Sequence, residues 1–202
     1  MKNTIPKGII VSCQALKDEP LYGGNTIPKM AAAAKEGGAV AIRANTVRDI
    51  NAIWRHLKGS LPIIGLIKKN YSDSEVYITP TIKEAKALIA SKCDVIAVDA
   101  TQRRRPNGLT LKELVDYLRA HTVKPIMADV ADYEDVVAAE KLGFDYISTT
   151  LRSYTAETKG IAIPDMEFCT MVKDAVQTAV PVAEGALHTY EELSYVLNTG
   201  ND

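Results

Sequence analysis

Cysteine is scarce in this 202-residue chain: Cys13, Cys93 and Cys169 cannot all pair, and none forms a C-x-x-C redox or zinc motif. Such usage fits a reducing compartment, so the cytoplasm is the expected location. Long apolar runs are lacking too. No stretch of about 18 apolar residues offers a membrane span, and Gly8 to Val11 after Lys7 is far short of a signal-peptide core. Neither sign of charge is in excess, because 24 Lys and Arg against 25 Asp and Glu leave a net charge of −1. A balance of this kind supplies no long-range field for a polyanion, and neither nucleic acid nor membrane is an expected partner. No G-x-G-x-x-G follows the first apolar run, which disfavours a dinucleotide-binding sheet. The three histidines, His56, His121 and His188, have no partner four residues away, so no metal site is expected and each reads as a surface or capping residue.

What is present is a rhythm. An apolar fraction of 47% and a charged fraction of 24% describe an ordinary globular protein, read as one domain over residues 1–202. Seven β-branched apolar runs recur at 8–14, 39–44, 62–68, 94–100, 125–130, 146–150 and 181–185, about 29 residues apart on average. That spacing holds one strand, one helix and two short loops. Helix signals fill the gaps. Ile50, Ile53, Trp54 and Leu57 line one face after Thr46, and Thr81–Glu84, Thr110–Glu113 and Thr189–Glu192 are each a T-x-x-E capping box. Asp132 opens a further helix ended by Gly143, and Pro164 opens another over Ile163–Val176. Nearly continuous apolar strands are buried on both faces and therefore parallel, so the predicted fold is an α/β barrel of the TIM (β/α)8 type.

In such a barrel the chemistry gathers at the C-terminal ends of the strands. Here the runs end at Gln14, Arg43, Lys68, Asp99, Asp129, Thr149/Thr150 and Glu184, every one polar. A lysine in a partly dry mouth loses proton affinity and can take a proton from carbon, while Glu184 or Asp129 returns one or holds the amine. The same lysine could instead form a Schiff base, as in an aldolase, or pair structurally with Asp129; the pattern leaves these open. Arg103, Arg104 and Arg105 before Pro106–Gly108 read as a solvated turn, with phosphate binding as the other use, and Tyr71, Tyr77 and Tyr154 lie shortly after strand ends.

Specific strings then go beyond rhythm. Gly8-Ile-Ile-Val-Ser-Cys-Gln14 with Ala15–Pro20, Gly37-Gly-Ala-Val-Ala-Ile-Arg-Ala-Asn45, Gly65-Leu-Ile-Lys-Lys-Asn-Tyr71, Val98-Asp-Ala-Thr101, Ile126-Met-Ala-Asp129 and Ala183-Glu-Gly185 stand in order along nearly the whole chain. Together they resemble the N-acylmannosamine-6-phosphate 2-epimerase family. The resemblance implies an isomerase of amino-sugar and sialic-acid catabolism. It would interconvert N-acetylmannosamine 6-phosphate and N-acetylglucosamine 6-phosphate by moving the C2 proton, with no metal or organic cofactor, in a cytoplasmic homodimer. It places the catalytic lysine at Lys68 and its partner at Glu184. Gln14 and Arg43 then hold substrate oxygens, and Asp129 orients Lys68.

The resemblance also implies departures. Asn198–Asp202 falls where the family begins its eighth strand, so one βα unit is expected to be absent, with the omitted end of a longer polypeptide favoured over a natural seven-strand enzyme. Of the glycines that cradle the sugar phosphate in the family, Gly185 remains. Ser148 and Ser153 stand where glycine is more usual, and either would be strained at a positive φ. Two other functions stay in view: another sugar-phosphate barrel enzyme, such as a Schiff-base aldolase or decarboxylase, and a non-catalytic truncated remnant.

Overall fold

A computed structural model describes residues 4–199. Strands β1 (Ile10–Cys13), β2 (Ala41–Asn45), β3 (Ile63–Leu66), β4 (Val95–Asp99), β5 (Ile126–Asp129), β6 (Tyr146–Ser148) and β7 (Val180–Val182) pair in chain order, and each pair is parallel. Helices α1 (Thr26–Glu36), α2 (Val47–Leu57), α3 (Ile82–Ile89), α4 (Leu111–His121), α5 (Tyr133–Lys141), α6 (Met166–Ala175) and α7 (Tyr190–Thr199) alternate with them. The strands are shorter than the apolar runs that announced them, because each run includes the polar residues that carry the chain out of the ladder.

Strand side chains alternate between two cores. Val11, Ile42, Ile63, Ile96, Ile126 and Ile147 pack with the helices, whereas Ile10, Ala41, Ile64, Val95, Met127 and Tyr146 pack with one another on the opposite face. The sheet curls around that second cluster. On this face β2, β5 and β7 lie several strands apart in pairing order, yet Arg43, Asp129 and Glu184, carried by them, touch. Central strands β2 to β6 are buried at every position, while β1 and β7, each paired on one side only among the described residues, are mostly half-exposed. They are the two edges of the sheet.

Several helix starts follow from single side chains. Thr81 with Glu84 and Thr110 with Glu113 form the predicted capping boxes. Glu192 accepts from the backbone N–H groups of His188 and Thr189 in the same manner. Asp132 caps α5, while α6 is capped by Asp165 rather than opened by Pro164. Asn198 and Thr199 continue α7, so no strand begins at Asn198; residues 200–202, part of that expectation, lie outside the described residues.

The predicted solvated turn at Arg103–Arg105 is corrected. Arg104 is exposed, but Arg105 is only 2% exposed and Arg103 turns inward to a buried aspartate, Asp99. The segment after β3 covers this loop, through the Ser74 hydroxyl on the Arg104 carbonyl and the Asn107 N–H on the Asp73 carboxylate.

Candidate active site

Side-chain parity explains why the polar strand ends meet. Positions 41, 64, 95, 127, 146 and 180 face the strand-only core, so 43, 68, 99, 129, 148, 150 and 184, at even offsets from them, point the same way. Arg43 lies at the centre. Its guanidinium donates to Asp129 Oδ2 at 2.6 Å, its Nε lies 3.3 Å from Glu184 Oε1, and a third nitrogen reaches the Met127 sulfur at 3.4 Å. Burial works against its charge, but Asp129 and then Glu184 more than reverse that effect and hold the guanidinium above its ordinary pKa.

Asp129 is fully buried. Burial raises its carboxyl above the usual range, with Arg43 opposing that rise and the Glu184 charge adding to it. Asp129 was expected to orient Lys68, yet it pairs with Arg43, and no Lys68 ion pair forms among the described residues. The physical reason is reach: Arg43 points from within β2 straight at the end of β5, and its planar fork suits a carboxylate.

Lys68 lies two residues beyond β3, held by its main chain. Its N–H donates to Asn45 Oδ1 at 3.0 Å, and it forms an antiparallel bridge with Ile78 that brings the segment after β3 back over the sheet. Burial lowers the pKa of its amine, and the positive charge of Arg43 lowers it further, against the pull of Glu184 and Asp129. The amine thus shares a field with both carboxylates while paired with neither.

Glu184 is fixed at both ends. The Thr149 hydroxyl accepts from the Glu184 N–H at 2.9 Å and donates to its carbonyl at 2.6 Å. Its carboxylate meets Thr150 Oγ1 at 2.9 Å and Ser148 Oγ at 3.2 Å. Gly185 follows at φ +118°, a conformation open to glycine. Gln14, one residue past β1, donates to Ser12 Oγ at 2.8 Å and leaves its buried Oε1 without a partner, free to accept from a ligand.

Beside this cluster Tyr77, whose phenol burial and the charge of Asp129 hold above its usual pKa, lines a cavity of about 470 Å³ with Arg103, Tyr154 and Lys159. Arg103 is anchored there by Asp99 at 2.7 Å and Thr101 at 3.0 Å. Tyr71, by contrast, bonds Glu84 at the start of α3. Sequence reasoning counted Thr150 among the polar strand ends without giving it a role and passed over Ser148 as a site group, although both share the inward parity of β6. The three histidines are exposed, and the cysteines are free thiols whose pKa burial raises, that of Cys13 to about 11. Among the described residues no cluster of three metal-ligating side chains occurs.

Comparison with known proteins agrees in one direction. A family described as "Putative N-acetylmannosamine-6-phosphate epimerase" matches residues 27–202. The protein of the corresponding 2-epimerase name from Staphylococcus carnosus is 50% identical over 199 residues, covering 97% of this chain and 87% of that one. The solved N-acetylmannosamine-6-phosphate 2-epimerase from Clostridium perfringens superposes with a TM-score of 0.90 at 49% identity, over 95% of this chain and 82% of the other. At 17% identity and a TM-score of 0.60, thiamine phosphate pyrophosphorylase from Pyrococcus furiosus shares the fold alone, over 98% of this chain and 83% of its own.

Proposed function

The chain belongs to the N-acetylmannosamine-6-phosphate epimerase family, and on that premise we propose that it is an isomerase interconverting N-acetylmannosamine 6-phosphate and N-acetylglucosamine 6-phosphate. The observation that carries the reading is the lysine of lowered proton affinity beside a clamped pair of carboxylates, all on one face at the strand ends. The proton at C2 of the open-chain sugar is weakly acidic and needs a base, donors for the enolate oxygen, and an acid on the other face.

Lys68 and Glu184 are the acid–base pair in this proposal. Arg43, held between Asp129 and Glu184, supplies fixed positive charge for the oxyanion. The unpartnered Gln14 Oε1 accepts from a sugar hydroxyl or the acylamino N–H. Gly185 presents a backbone that a phosphate approaches closely, as at the phosphate sites of such barrels. The fold in this proposal is a (β/α)8-type barrel over a single domain, with the eighth βα unit absent from the seven strands described, working as a cytoplasmic homodimer on a small sugar phosphate without an organic cofactor.

Proton NMR of N-acetylmannosamine 6-phosphate in deuterated water tests the assignment. The protein is expected to give N-acetylglucosamine 6-phosphate with deuterium at C2, and Lys68→Ala to lose both conversion and exchange. Exchange retained in Lys68→Ala removes that lysine from the chemistry; a product other than the 2-epimer overturns the substrate assignment.

A further inference from the structure

Thr150 has one hydroxyl hydrogen and more acceptors than it can serve. Its Oγ1 lies 2.9 Å from Asp129 Oδ1 and 2.9 Å from Glu184 Oε2. Ser148 Oγ lies 2.8 Å from Thr150 Oγ1 and 3.2 Å from the same Glu184 oxygen. An ionised carboxylate only accepts. If Thr150 donates to Asp129, the Glu184 contact has a hydrogen only when Glu184 brings one; if Thr150 donates to Glu184, the same holds for Asp129.

We propose that Asp129 and Glu184 share one proton through the Thr150 hydroxyl, and that this bridge delivers it to Glu184 for the step at C2. It rests on the reading that Glu184 exchanges a proton with C2. When Glu184 gives its proton to C2, the enolate electron pair forms the new C–H bond and Glu184 is left a carboxylate. That proton is the shared one: the Asp129 carboxyl, which holds it at rest, passes it to Thr150 Oγ1 as Thr150 passes its own to Glu184 and Glu184 gives the latter to C2, so both carboxyls end ionised. The pair then regains one proton from water through Glu184, which is part-exposed while Asp129 is fully buried, and Lys68 releases to water the one it took from the substrate. In the opposite direction the same bridge runs backwards. Thr150 is accordingly a positioning and relay residue that acts through Glu184.

The charged and titratable groups facing the bridge are Arg43 from β2, Lys68 after β3 and Tyr77 from the segment that returns over it; the two carboxyls come from β5 and the end of β7. The raised Asp129 carboxyl is consistent with a retained proton.

The test pairs a titration with kinetics. With carboxyl ¹³C labels and no substrate, the Asp129 and Glu184 resonances of the wild type are expected to move together in coupled steps. In Thr150→Val, which keeps the shape and removes the hydroxyl, each is expected to titrate on its own. Thr150→Val should lower kcat about 10- to 100-fold with KM within about threefold, and shift the pH profile of kcat; Thr150→Ser should stay within about threefold of wild type. Independent titration in the wild type, an unchanged pH profile in Thr150→Val, or Thr150→Ser as impaired as Thr150→Val would each overturn the bridge. If the wild type fails to convert the amino-sugar phosphate, the reaction assignment falls, and the titration alone decides the bridge.

Discussion

Ser153 sits in the left-handed region at φ +71°, in the loop between β6 and α6, with its N–H on Thr158 Oγ1 at 3.1 Å. A side chain there costs roughly 1–2 kcal/mol, part of which glycine returns as entropy of the unfolded chain. Ser153→Gly is therefore expected to stabilise the fold by about 0.5–1 kcal/mol, read as a higher urea midpoint at constant m; an unchanged midpoint argues against the strained backbone. Ser148, the other serine where the family resemblance led to glycine, lies in the β6 ladder, and its hydroxyl faces Thr150 and Glu184 instead. At this scale Arg43, Asp129 and Glu184 were legible because each ends an apolar run with the right parity. Their pairing was not. Nothing in the string around Asp129 says that its partner lies 86 residues away, so the sequence reading gave it to Lys68 rather than to Arg43. Arg105 was misread for the same reason: its cover comes from a different loop.

Gly65 shows how an element depends on one missing atom. A Cβ built there would lie 2.6 Å from Cys93 Cβ and 2.9 Å from Ile50 Cδ1, so β3 can seat against α2 and the start of β4 only without it. Gly65→Ala is expected to cost about 1–3 kcal/mol through overpacking. Because Lys68 follows three residues later, the same change should lower kcat. Chemical denaturation with steady-state kinetics checks both, and wild-type values in each would show that the contact relaxes freely. Element starts were readable wherever a side chain caps them, as at Thr81, Thr110 and Asp132. Helix α1 carried no such mark: Asn25 makes no capping bond, and the first turn has no acidic residue.

For the molecule as a whole, the repeating strand and helix pattern announced a parallel α/β sheet, and side-chain alternation along its strands is what turns their polar ends to one face. The looseness of its two edges was not visible in the strings, since β1 and β7 are as β-branched as their neighbours and differ only in what flanks them. Local opening follows few buried contacts. Hydrogen exchange is expected to find amides of Ile10–Cys13 and Val180–Val182 opening at lower free energy than those of Ile64–Leu66, Val95–Asp99 and Ile126–Asp129. Uniform protection across all seven strands would contradict this.

The two edge strands lead into Gln14 and Glu184, whereas the only tryptophan, Trp54, rides on α2 over the well-packed half. An intrinsic-fluorescence melt therefore watches the sturdy side of the protein and misses the fragile one. Turnover should fade in mild urea while the emission spectrum still looks native, which makes catalysis the more sensitive thermometer of this fold.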